Sequence, residues 1–289
     1  MKSRWEEPTK PYLYALGAIL CWASLPAATG GGLDGLSVPE LLFFSFVPAA
    51  AYLSVQEMLL ARRPRIPWPD MRLTLLGLAG IFGYHAIYFL AMDRAPLVEG
   101  AILTTTWSFW IVVFSSALTR KRFSLPVLGA ALLGLAGAGL VISGGKSLDF
   151  SFRYLPGYAL ALTCGLIWSG FSVALSRLRP GRDYMPAFTV LAGVCSTLVY
   201  IASGPEGLPP TGALLSALYL GLVPLSLSFS LWNRAVTTGN MTTIGCLTYL
   251  TPPLAVFLTA LIRGEAVTAQ AVWGLALILT AAVLGRRVG

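Results

Sequence analysis

The sequence predicts an all-α integral membrane protein: ten transmembrane helices arranged as two inverted five-helix repeats around a central cavity. Three observations predict it. Apolar runs of about twenty residues recur along the whole 289-residue chain. Charged residues make up only 11%, against about a quarter in a soluble domain, and the mean hydropathy is +0.74. The two halves of the chain also repeat features at nearly constant spacing.

A helix rises ~1.5 Å per residue and the hydrocarbon core is ~30 Å thick, so ~20 apolar residues cross it. The runs Tyr12–Thr29, Pro39–Ala61, Arg72–Met92, Leu97–Thr119, Ser124–Ser143, Leu155–Arg177, Tyr184–Ser203, Thr211–Trp232, Asn240–Ile262 and Val267–Gly285 meet that length. They are spans one to ten below. Barrel strands alternate every second residue and are ~10 residues long, whereas these runs are continuous. Lipid leaves backbone groups to be satisfied internally, so the spans are expected to be helices. The lipid bilayer is therefore the protein's first partner.

The net charge of +8 reads as a topology signal, not as nucleic-acid binding. With the N-terminus in the cytoplasm, 16 Lys and Arg fall on the cytoplasmic side and 4 (Arg94, Lys146, Arg153, Arg263) on the other. The positive-inside rule predicts such a bias, with ten spans and both ends inside. Removing span one as a signal peptide would reverse the pattern in every loop.

Each span carries its own signals. Span one holds Trp22 and Ser24, then Pro26 and Gly30-Gly31-Gly32; span two holds Pro48. Span three carries Tyr84, Tyr88 and the only histidine, His85; Tyr88 shares the face of His85 at i+3. Span four carries Thr104-Thr105-Thr106, Trp107 and Trp110. Span five has a small-residue stripe, Ala130, Gly134 and Ala138, suited to close packing. Span six has Trp168, Ser169 and Ser172; span eight has Pro224, Ser226, Ser228 and Ser230; span nine has Thr248, Tyr249, Thr251 and Pro252-Pro253. Span seven carries no comparable signal. Spans five and ten, the blandest, are expected to brace the others. Prolines remove a donor and kink helices.

Tryptophan usually sits at membrane interfaces, and Trp5, Trp68 and Trp232 fit that belt. Trp22, Trp107, Trp110 and Trp168 lie at mid-span, where an indole N–H needs a partner. A cavity wall of rings and hydroxyls is the functional reading, and helix packing the bland one. The expected substrate-binding set is Trp22, Ser24, Tyr84, His85, Tyr88, Trp107, Trp110, Trp168, Ser169, Thr248 and Tyr249. His85 either bonds a neighbouring carbonyl or faces substrate and takes a proton near neutral pH; both readings stand.

Intramembrane carboxylates usually mark function. All twelve acids fall in loops or near span ends, Glu99 and Glu265 being the best candidates. That weakens a proton-coupled drug antiporter. The four cysteines, Cys21, Cys164, Cys195 and Cys246, show no metal-ligand spacing, so no metal or cofactor is expected. No G-x-x-x-x-G-K loop for ATP is present, and no acid or histidine cluster suggests an embedded enzyme.

The halves divide at residues 1–144 and 145–289. Trp22 matches Trp168, Asp93-Arg94-Ala95 matches Asn233-Arg234-Ala235, and Gly129 matches Gly274, at offsets of 146, 140 and 145. Five is odd, so the second half enters from the opposite side. Such inverted repeats suit alternating access around a midplane site.

Met241–Leu284 resembles the EamA-type repeat of the drug/metabolite transporter superfamily, through Pro252-Pro253, Gly264-Glu265, Thr268, Gln270 and Gly274. The first half departs from the pattern, with Arg120-Lys121-Arg122 in place of Gly-Glu and no proline within Ile102–Thr119. Within the superfamily the chain looks most like exporters of aromatic amino acids. The resemblance implies export of amino acids from the cytoplasm of a Gram-negative bacterium across its inner membrane; the lack of a central acid predicts that passage is facilitated, or weakly proton-coupled through His85. A broad metabolite or drug exporter is the alternative. The oligomeric state stays open, a monomer being compatible.

Overall fold

A computed structural model describes residues 9–62, 65–120, 125–144, 151–205, 207–263 and 268–288. Among these, nine helices are long and apolar enough to cross a membrane, and a shorter apolar stretch, Ala269–Ala281, belongs to the tenth. There is no strand among the described residues. The expected Glu265, Gly264, Trp5, Lys121 and Arg122 lie outside them, as do Lys2, Arg4, Lys146, Asp149 and Glu206.

Helix starts follow from local chemistry. Span two begins at Val38 with a capping box in which the Ser37 N–H donates to Glu40 Oε2 at 2.8 Å. Asp70 Oδ1 accepts the Leu73 N–H at 2.9 Å ahead of span three, and Asn240 Oδ1 the Thr243 N–H at 3.0 Å ahead of span nine. Spans two and six end on Arg62 and Arg179, both left-handed at φ 51° and 40°.

Interruptions within the spans matter more for function. Spans three and eight each contain a π turn, Leu78–Gly83 and Val223–Leu227, a feature that marks functional sites more often than chance. Span four breaks after Leu97–Thr104 and span nine after Met241–Thr248. Pro252-Pro253 explain the second break. The first lacks a proline. There the hydroxyls of Thr105 and Thr106 donate to the carbonyls of Ala101 and Leu103, each at 2.7 Å, competing with the helical ladder. Span one breaks at Ser24, with Pro26 in the first turn of the next segment. Pro48 does not break span two, which runs unbroken over Val38–Ala61.

Spans five and ten pack on each other most closely through Gly137 and Gly274. A Cβ on Gly137 would sit 2.7 Å from the Gly274 carbonyl oxygen, and one on Gly274 2.6 Å from that of Gly137. Gly129 meets nothing within 4 Å, so the packing partner of Gly274 is Gly137, not its counterpart by sequence spacing. Spans two and seven pair likewise, with Phe43 stacked on Tyr200 at 4.3 Å.

Successive crossings place Arg62, Arg65, Arg72, Arg177, Arg179, Arg182 and Arg234 at one end of the bundle and Arg94 and Arg153 at the other. These are the charge-rich and charge-poor ends.

Candidate functional site

Four indoles form a layer across the middle of the bundle. Trp22 lies at its centre, 5.8 Å from Trp107, 5.4 Å from Trp168 and 5.0 Å from Trp232, all edge-on. Edge-to-face pairing sets positive ring edges against negative faces. The Trp22 Nε1–H donates to the Pro224 carbonyl at 3.1 Å. The Trp232 Nε1–H donates to Ser172 Oγ at 3.1 Å. Trp232 is fully buried, which corrects its assignment to the interface belt. Its position near a span end hid a helix that continues to Thr238. Trp68 and Trp273 are exposed.

Above this layer a cavity of about 500 Å³ opens toward the charge-poor end, within the ~300–1,000 Å³ of small-molecule pockets. Trp22, Trp107 and Trp168 form its floor; Tyr84, His85 and Tyr88 form one wall; Thr104, Thr105, Pro252 and Ala255 face them from the broken spans four and nine. Val141, Ile142 and Ser143 of span five and Thr268 at the start of span ten edge the mouth, so these spans do more than brace. No Asp or Glu lines the cavity among the described residues.

His85 bonds a neighbouring carbonyl, the first expected reading, and also lines the cavity. Its Nδ1 lies 2.7 Å from the Ile81 carbonyl within the π turn. A carbonyl only accepts, so Nδ1 carries a proton, and in the neutral form of the ring Nε2 is the acceptor. Around the imidazole stand Tyr84 at 4.6 Å, Phe46 at 5.3 Å and Phe229 at 5.5 Å. Sequence periodicity missed Phe46 and Phe229, which look like ordinary apolar residues.

Six of the eleven expected residues, Trp22, Tyr84, His85, Tyr88, Trp107 and Trp168, meet at the cavity. The other five lie away from it. Ser24 Oγ donates to the Cys21 carbonyl and accepts from Tyr219. Trp110 packs on Phe109 and Phe114. Ser169 is buried and donates to the Gly165 carbonyl at 2.7 Å. Thr248 donates to the Gly245 carbonyl. Tyr249 donates to the Ala131 carbonyl at 2.8 Å, its ring against Gly134. Glu99 is buried at the charge-poor end and accepts from the Tyr158 hydroxyl. Among the described residues no cluster of three His, Cys, Asp or Glu could hold a metal.

Two inverted five-helix halves enclosing a solute-sized hollow define a membrane transporter. The chain belongs to the EamA-like transporter family, whose pattern matches it twice, over residues 9–143 and 155–285. It is 32% identical over 253 residues to the aromatic amino acid exporter YddG of Ancylobacter novellus, covering 85% of this chain and 86% of that protein. It is 24% identical to a probable terminal-alkyne amino-acid exporter of Streptantibioticus cattleyicolor, covering 93% of each chain. A crystal structure 28% identical in sequence superposes with a TM-score of 0.84, over 96% of this chain and 99% of that one.

Proposed function

We propose that this transporter exports amino acids, aromatic ones foremost, by alternating access through the aromatic cavity. Both chain ends and the charge-rich end face the cytoplasm of a bacterial inner membrane, and the cavity opens outward. The repeats divide near residues 144 and 145, and no reaction is catalysed. The observation that carries the reading is a pocket of three indoles, two phenols and one imidazole with no carboxylate among its described lining residues. Rings stack on a flat apolar solute, while His85 Nε2 and the Thr104 and Thr105 hydroxyls meet its polar end. A cationic drug would find no counter-charge among these described residues, which favours dipolar amino acids. Passage is facilitated, or weakly proton-coupled through His85. Two relatives named as amino-acid exporters support the substrate class.

Counterflow of labelled tryptophan, phenylalanine, threonine and methionine, with a lipophilic cation as competitor, tests this in proteoliposomes. Tryptophan and phenylalanine exchange fastest and the cation fails to compete. Cation competition with no amino-acid exchange would favour the broad drug exporter. His85→Ala slows tryptophan exchange about tenfold, as loss of a buried hydrogen-bond partner implies; an unchanged rate removes His85 from the site.

A further inference from the structure

A second cavity, of about 460 Å³, lies at the charge-rich end between spans four, six and nine. Its lining includes Ser115, Ser176, Arg177, Arg179, Asn240 and Thr242, and no carboxylate among the described residues. The repeat relates it to the mouth of the aromatic cavity. The half-helices Leu97–Thr104 and Met241–Thr248 are both eight residues long and begin 144 positions apart. Leu97 and Val98, at the outward mouth, therefore correspond to Met241 and Thr242, which line the second cavity. Ala27 at that mouth corresponds to Val173, 146 positions on, by the spacing of Trp22 and Trp168. The two hollows are one feature seen twice, and both open to the surface. At the second one Ser115 and Thr242 join spans four and nine, their hydroxyls 3.1 Å apart.

The chemistry of the two mouths differs. The outward one presents Ala27, Leu97 and Val98; the other presents two guanidinium groups. Arg179 caps span six in a left-handed conformation, and its Nε donates to the Ser176 carbonyl at 3.4 Å. Topology alone would be served by any arginine at this end, and Arg182 in the same loop lies outside the cavity lining.

We propose that this cavity is the cytoplasmic loading vestibule, in which Arg177 and Arg179 capture the carboxylate of the departing amino acid. The substrate assignment rests on the transport reading above. Guanidinium is suited to carboxylate because its fork of donors matches two oxygens. A lipid phosphate offers similar chemistry, so the test runs in phosphatidylcholine vesicles and again with phosphatidylglycerol added.

The first readout needs no transport. Thr242→Cys, in a chain cleared of native cysteines, reacts with an anionic and a cationic methanethiosulfonate reagent. The anionic-to-cationic rate ratio falls about tenfold on adding Arg177→Gln and Arg179→Gln, as loss of electrostatic focusing implies; Arg182→Gln leaves it unchanged. The second readout is the KM for tryptophan from each face. In the double variant it rises about three- to tenfold on the arginine face and stays within twofold on the other, and Arg177→Lys with Arg179→Lys restores it in part. An unchanged reagent ratio, an equal effect of Arg182→Gln, or an effect confined to phosphatidylglycerol vesicles overturns the vestibule. A wild type that carries no tryptophan while the reagent ratio behaves as stated overturns the substrate and leaves an anion vestibule.

Discussion

The two halves of this transporter carry the same interruptions but hold them differently. Each has a π turn in its third span and a break eight residues into its fourth. In the first half the π turn is packed by rings lying against glycine: a Cβ on Gly77 would sit 2.6 Å from Phe188 Cε1, and one on Gly80 2.7 Å from Phe171 Cβ. In the second half the turn contains Pro224, whose carbonyl receives the Trp22 indole N–H. Span one is broken at Ser24, while its counterpart, span six, is continuous from Leu155 to Leu178. Related sequences thus adopt unlike shapes in one molecule. Together they give the two ends of the molecule hollows of unlike lining, apolar with aromatic rings at one end and arginine-bearing at the other.

The largest expected effect comes from Trp232, which both halves share. Trp232→Ala leaves a cavity beneath Trp22, Trp107 and Trp168 and costs about 3–5 kcal/mol, read as a fall in thermal stability in detergent. A small change would show that the indole layer is not the common core of the halves. Next come two glycines that sequence spacing pairs and packing separates. Gly274→Leu forces spans five and ten apart and costs about 3 kcal/mol. Gly129→Leu, with nothing nearby, stays within about 0.5 kcal/mol. Equal losses would erase the distinction. Trp22→Phe keeps an aromatic face but loses the second ring of the indole and the bond to the second π turn, costing about 2 kcal/mol.

The smallest effect concerns Asp183, in the loop between spans six and seven. Burial pushes its carboxyl above the usual range, against the opposing pull of the Met185 N–H, the Asn233 side chain and Arg234. A raised value means the folded state holds the proton more tightly than the unfolded one. Its contribution is therefore full at low pH and is lost as pH rises through and above the ordinary carboxylate range. Asp183→Asn keeps the oxygen that accepts the Met185 N–H at 2.9 Å. It flattens the pH dependence of unfolding and stabilises by under ~1 kcal/mol above that range. A steeper slope in the variant would assign the charge effect elsewhere.

Much of the fold was legible because lipid imposes length and continuity on every span, and the arginine bias follows the same physics. The mid-span indoles and the Tyr84–His85–Tyr88 face were legible because polar groups at that depth need partners. Other features were not. The break in span four comes from threonine hydroxyls competing for carbonyls, where proline was the expected signal. Trp232 looked interfacial because its helix outlasts its apolar run by six residues, to Thr238. Ser169, Thr248 and Tyr249 carry the right chemistry but point to backbone carbonyls within the packing, and helix phase at single-residue precision decides that.

The absence of a carboxylate among the described lining residues of the cavity has an electrical consequence. A membrane potential is worth ~2.3 kcal/mol per elementary charge per 100 mV, but only to something bearing net charge. On the facilitated reading proposed above, a zwitterion crossing beside an imidazole that carries no proton across moves none. On that reading the cell's voltage neither pushes the cargo out nor holds it back, the ratio of concentrations alone sets which way the traffic runs, and proton coupling through His85 would restore a dependence on voltage.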